Sequence, residues 1–394
     1  LARSLLDLVR EVIAILSIKA IELYDPTYKG KMDILISNGY IEGLSQGKAF
    51  NFVKEVKLKN MIAIPGFIDG HVHVIGGGGE GGFLSRIPEI ESSKLLNCGI
   101  TSVIGLLGTD SITKSLISLF AKTNSLRSEN INAYMMTGSY QYPVKTITGS
   151  IEKDIVLIDP VIGIGELAIS DHRSSAITVE EIKKVAQECR VASMISSKSG
   201  KIIVHVGNSK KMLSPLIEAV SDDEIKIESF LPTHVNRNML LLQNALEWIK
   251  MGGFVDITAE DTSKESISVV DSIEYLVSNG ASLDHILVSS DSNGSIPNFD
   301  EKGNFVSMKV SDCSVMFKAF KACVKGGMKI EDALKPFTIN VSRFFKLENA
   351  GTIEKSKRAD MIFVDKDTFE IDSIMAKGNL LNIKSSTIKA RGLI

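Results

Sequence analysis

Between residues 61 and 290 the chain repeats one alternation: a short run rich in Val and Ile, then a helix-patterned or polar segment. The eight runs are 61–68, 101–107, 131–137, 161–169, 201–206, 227–233, 253–258 and 286–290. Their length and their Gly, Asp, Asn or Ser boundaries read as strands. Helical patterns at 111–122, 179–197, 210–220, 238–251 and 268–279 read as the connections. A strand that returns through a helix lies parallel to its neighbour, and eight such units in a row predict an α/β fold. A closed (β/α)8 TIM-type barrel fits them better than an open sheet. No solenoid-type repeat competes with this reading.

The flanks have a different texture. Residues 17–60 hold short strand-like pieces such as Asp33-Ile34-Leu35-Ile36, with a turn at Asn38-Gly39. Residues 350–394 hold another set, including Asp360-Met361-Ile362-Phe363-Val364. The two ends are expected to pair into one small β-sandwich domain, giving segments 1–60, 61–349 and 350–394. With 394 residues and 44% hydrophobic content, the chain can fill both cores. Residues 1–16 carry Arg3, Asp7, Arg10 and Glu11, too much charge for a signal segment, and are too short to cross a bilayer. They read as a short amphipathic helix. A net charge of −2 and the lack of a basic run argue against nucleic acid or a membrane as partner. Cys98, Cys189, Cys313 and Cys323 form no C-x-x-C pair, so no zinc ribbon or redox motif is signalled. They read as buried small hydrophobes of a reducing, cytoplasmic compartment.

Barrel enzymes build their sites at the C-terminal ends of strands. Of six histidines, His71 and His73 follow the first run, His205 ends the fifth and His234 follows the sixth. Asp291 follows the eighth, and Glu166 lies within the fourth. Histidines one residue apart on an extended segment project to the same side. Neutral imidazole suits zinc, and the two carboxylates offset its charge. Two ions about 3.5–4 Å apart could share a hydroxide and polarise a carbonyl. H-x-H alone is a weak motif; four histidines and two acids on five strands are hard to explain as packing. His172, in a loop, and His285, at the opposite end of its strand, read as non-ligands.

The stretch Pro65-Gly66-Phe67-Ile68-Asp69-Gly70-His71-Val72-His73 resembles the opening signature of the amidohydrolase superfamily. Further stretches resemble, within it, the isoaspartyl dipeptidase (β-aspartyl peptidase) family. These are GGGGEGG from Gly76, GLLGTDSI from Gly105, TGSYQYP from Thr137, AISDHRS from Ala168, THVNRN from Thr233 and SSDSNGS from Ser289. The resemblance implies two divalent metal ions, zinc by preference: His71 and His73 on one, His205 and His234 on the other. It implies Asp291 as last ligand and general base, and Tyr140 as oxyanion donor. Glu80 would pair with the substrate's α-amino group, Arg173 and Arg237 with its carboxylates, and Thr109 and Ser295 would complete the pocket. By themselves Arg173 and Arg237 read as surface ion-pair residues, Glu80 as a loop acid and Tyr140 as a core aromatic. The glycine run is no phosphate loop, since no G-K-[ST] follows.

One position departs from the family pattern. Many members bridge the ions with a carbamylated lysine on the fourth strand, yet no lysine occurs between Lys153 and Lys183. Glu166 is the expected substitute. The implied activity is metal-dependent hydrolysis of β-aspartyl dipeptides by a metal-bridging hydroxide, in a homo-oligomer such as an octamer. A cyclic amidase of the dihydroorotase or dihydropyrimidinase type is the enzymatic alternative, and a non-catalytic scaffold the alternative from another class.

Overall fold

The computed structural model describes residues 15–47, 53–259, 265–300 and 304–382. The expected N-terminal helix lies outside these residues except at its end, where Leu16 opens a strand. The first strands are β1 (Leu16–Asp25), β2 (Thr27–Ser37), β3 (Tyr40–Ser45), β4 (Lys54–Val56) and β5 (Met61–Pro65). The barrel follows: β6 (Phe67–Val72), β7 (Ile100–Gly105), β8 (Asn132–Thr137), β9 (Val161–Ile169), β10 (Lys201–Val206), β11 (Phe230–Thr233), β12 (Val255–Thr258) and β13 (Ile286–Ser289). A hairpin of β14 (Ser295–Phe299) and β15 (Phe305–Val310) comes next, then β16 (Met361–Asp365), β17 (Ile371–Ala376) and β18 (Asn379–Asn382).

Strands β6 to β11 pair in parallel in chain order, and β12 pairs with β13. Two backbone bonds close the ring. Val235 N donates to Asp256 O at 3.3 Å, and His73 N donates to Ser292 O at 2.9 Å. Ile68, Ile104, Met136, Ile162, Ile203, Leu231 and Leu287 fill the interior. The helix Ile339–Phe345 closes one end with Val341, Phe344 and Phe345. A larger apolar layer joins the outer strand faces to the helices. The strands are buried on both faces, so they read as continuous apolar runs without alternation.

Both chain ends build the small β domain. Its main path runs β18-β17-β16-β5-β1-β2-β3, with β4 also on β1. Ile41 of β3 and Met375 of β17 share one apolar cluster despite lying toward opposite ends of that path. The sheet therefore folds over on itself, and Ile41 N donates to Lys357 O at 2.9 Å across the seam. The turn at Asn38-Gly39 has φ of 51° and 82°, the positive values a tight hairpin needs.

The expected strand 61–68 is two strands. Met61–Pro65 pairs with β1 and β16, whereas Phe67 opens the barrel. Gly66 lies between them: its N–H donates to Asp360 O and that of Phe67 to Gly99 O, each at 3.0 Å. A Cβ at residue 66 would sit 2.2 Å from Thr101 Oγ1, so only glycine allows this approach. Hydrophobic pattern alone cannot register that two neighbouring segments serve different sheets. Among the described residues no helix is long and apolar enough to cross a membrane.

Candidate metal centre

His71 lies one residue before the end of β6 and His73 just beyond it, their ring centroids 5.5 Å apart. Glu166 comes from the middle of β9, His205 from the end of β10 and His234 from the residue after β11. Asp291 stands two residues after β13. His234 and Asp291 have φ of 60° and 51°, left-handed values that turn the chain sharply out of the strand. His and Asp are among the residues that tolerate this region best.

Glu166 is fully buried at the centre. Its Oε1 lies 2.8 Å from His205 Nδ1 and 3.0 Å from His234 Nε2. Its Oε2 lies 3.4 Å from His71 Nε2 and 3.9 Å from His73 Nε2. Asp291 Oδ1 is 3.1 Å from His73 Nε2 and 3.5 Å from His71 Nε2. All six expected ligands therefore meet in one place. Burial alone would raise the Glu166 pKa, but the charges of His71 and His205 and bonds to His205 and His234 hold it well below the usual carboxylate range. Burial pulls the His71 pKa down; Glu166 and Asp291 outweigh it and lift it to about 10. His234 goes the other way, to about 4, chiefly through burial.

The polar rim adjoins this centre. The Tyr140 hydroxyl is 2.9 Å from His205 Nδ1. Burial, then the Glu166 charge, keeps its pKa well above the ordinary value, so the phenol stays protonated. Arg173 spans the rim: its guanidinium carbon lies 5.4 Å from the Tyr140 ring centroid and Nη1 lies 3.7 Å from Glu80 Oε1. Ser295 Oγ donates to Glu80 Oε1 at 2.7 Å, while Oε2 of Glu80 is buried without a bond. Arg237 Nη1 donates to Val206 O at 3.0 Å, just past His205. Thr109 is half-buried after β7, next to Gly108, where a Cβ would meet His73 Cε1 at 2.8 Å. His172 is largely exposed, and His285 stacks on Phe254 with ring centroids 4.4 Å apart.

The sequence reading gave no role to three acids. Asp171 accepts from Arg173 through both oxygens, Nε to Oδ1 at 3.0 Å and Nη2 to Oδ2 at 2.9 Å, and lies 2.9 Å from His205 Nε2. It follows β9 by two residues, so the strand-end rule could have found it. Asp256, inside buried β12, accepts from Ser289 Oγ at 2.7 Å, and burial pushes its pKa to about 8. An acid amid buried strand residues was its signal. Asp69 accepts from Ser290 N at 3.1 Å, tying β6 to the end of β13.

The amidohydrolase family pattern matches residues 62–381, which contain every residue of this centre. The chain belongs to the amidohydrolase family. Its structure is also similar to a β-aspartyl dipeptidase from the thermophilic, keratin-degrading Fervidobacterium islandicum AW-1, in complex with the β-Asp-Leu dipeptide. That match has 42% identity and a TM-score of 0.90, and covers 94% of this chain and 96% of the other. A second structure of the β-aspartyl dipeptidase from that organism matches at 40% identity and a TM-score of 0.86, covering 93% and 97%. An adenine deaminase of Archaeoglobus fulgidus is 21% identical over 382 residues, 91% of this chain; the chain spans only 58% of that relative's length.

Amidohydrolases depend on metal, and the residues of this member fit one. His71 Nδ1 and Nε2, His73 Nδ1, Glu166 Oε2 and Asp291 Oδ1 are buried and make no hydrogen bond. Buried polar atoms are rarely left so, and of these His71 Nε2, Glu166 Oε2 and Asp291 Oδ1 face one another, which suits a cation. Two donor sets are compact: His71, Glu166 and His234, and His71, His73 and Asp291. His205 is turned toward Asp171 and Tyr140 as well as Glu166.

Proposed function

We propose that this amidohydrolase cleaves β-aspartyl dipeptides at a centre of two divalent ions, zinc by donor chemistry, with Glu166 shared between them. The observation that carries this reading is the rim: Glu80 and Arg173, the latter held by Asp171, stand side by side against the His/Glu/Asp cluster. A β-aspartyl dipeptide offers an α-ammonium and two carboxylates, the complement of Glu80, Arg173 and Arg237. Similarity to the Fervidobacterium β-aspartyl dipeptidase over nearly the whole chain supports the same substrate class.

His71, His73, His205, His234, Glu166 and Asp291 would hold the ions. When bound, the ions supply water acidic enough to attack near neutral pH and polarise the scissile carbonyl. The remaining work falls to side chains. Burial opposes ionisation of Asp291, but the imidazole of His73, 3.1 Å away, and the charge of His71 hold its carboxyl in the ionised form, so it can accept a proton and pass it to the leaving amine. Tyr140, kept protonated, donates to the oxygen on which charge develops. Glu80, oriented by Ser295, pairs with the α-ammonium; Arg173, oriented by its two bonds to Asp171, and Arg237 supply positive charge to the carboxylates. Thr109 lines the wall beside Gly108. The four free cysteines suit a cytoplasmic setting. Purified enzyme should hydrolyse β-Asp-Leu and lose that activity with a chelator. Turnover of dihydroorotate in preference to β-Asp-Leu overturns the substrate reading.

A further inference from the structure

Cys98 and Cys313 lie 215 residues apart in sequence, yet their Sγ atoms are 3.1 Å apart. Cys98 ends the helix Ser92–Asn97 and is half-buried; Cys313 precedes the helix Val315–Lys325 and is fully buried. A disulfide needs about 2.05 Å between sulfurs, so roughly 1 Å of approach would close the pair. A cation explains the cluster less well. The neighbouring carboxylate of Asp312 is engaged by Lys94 Nζ at 2.8 Å, leaving two sulfurs where structural zinc takes four ligands.

We propose that Cys98 and Cys313 form a reversible disulfide that clamps the segment behind the Asp291 loop. Cys98 is the accessible partner. Its thiolate attacks one sulfur of a small-molecule disulfide, forming a mixed disulfide and releasing one thiolate. The Cys313 thiolate then attacks Cys98 Sγ, forming the internal bond and releasing the second thiolate. Two protein thiols are oxidised, one external disulfide is reduced to two thiols, and the protons go to solvent or to those thiolates. The link bears on the site through Ser311, two residues before Cys313. Ser311 Oγ donates to Ser290 O at 2.7 Å, Ser311 N to Gly294 O at 3.1 Å, and Asn293 N to Ser311 O at 3.0 Å. These bonds bracket Asp291, so a staple at Cys313 restrains the loop that carries it.

The test is to treat the reduced, metal-loaded full chain with oxidised glutathione, cap the remaining thiols, and measure intact mass and a peptide map. The wild type should lose two of its four thiols and yield a 98–313 cross-linked peptide that dithiothreitol abolishes. Cys313→Ala should stop at a stable glutathione adduct on Cys98, and Cys98→Ser should leave Cys313 unmodified. Retention of four thiols in the wild type, or a wild-type product that stops at the Cys98 adduct, overturns the pair. The oxidised wild type should also unfold at a higher temperature than the reduced form. A cross-link without that rise overturns the clamp.

Discussion

Replacing Glu166 by glutamine keeps the volume and one acceptor oxygen but removes the only full charge contributed by β9 to the centre. The residue is fully buried, and its oxygens lie between 2.8 and 3.9 Å from four imidazoles. Water screens little at such a site. A unit charge facing another at roughly 4 Å is worth about 4 kcal/mol at an effective dielectric near 20. Since about 1.4 kcal/mol is a tenfold change, the loss predicts a metal affinity weaker by about three orders of magnitude. The buried histidines remain, so folding should survive. The assay is elemental analysis of wild type and Glu166→Gln after equal dialysis, followed by competition with a chromophoric chelator. The wild type should retain two ions per chain and the variant less than one. Two ions held by the variant with wild-type affinity would refute both the bridging role of Glu166 and the weight given to its charge.

Other expectations follow from separate parts of the structure. Arg173→Lys removes a planar fork that binds Asp171 through two bonds; KM for β-Asp-Leu should rise roughly 10–100-fold, and an unchanged KM would argue against a substrate-binding role. Gly108→Ala places a Cβ 2.8 Å from His73 Cε1, so activity should fall at least about tenfold with the far-ultraviolet circular dichroism spectrum preserved; full activity would show that His73 has room to move. Burial raises the Asp25 carboxyl to about 7, above its ordinary 3.8. Its stabilising contribution is therefore complete below pH 3.8 and is lost as pH rises through 7. Asp25→Asn should flatten the decline in melting temperature between about pH 4 and about pH 7; parallel wild-type and variant curves would contradict this.

The sequence by itself determined the eight strand-like runs with five of their helical connections, and the strand-end positions of the histidines. Both are local: burial on two faces leaves an apolar run, and a barrel rim collects whatever follows each strand. Glu166 in place of lysine was legible too, since residue identity needs no fold. The extents of strands were less legible. The run 61–68 looked continuous because Met61–Pro65 and Phe67–Val72 are both apolar and extended, although they belong to different sheets. Only the tertiary structure decided which partners these groups meet. It set Asp171 against Arg173 and His205, buried Asp256 against Ser289, and brought the Cys98 sulfur within 3.1 Å of that of Cys313. Such contacts depend on strand order and helix docking over hundreds of residues. Local periodicity records that a side chain is buried, but carries no information about the side chain it is buried against.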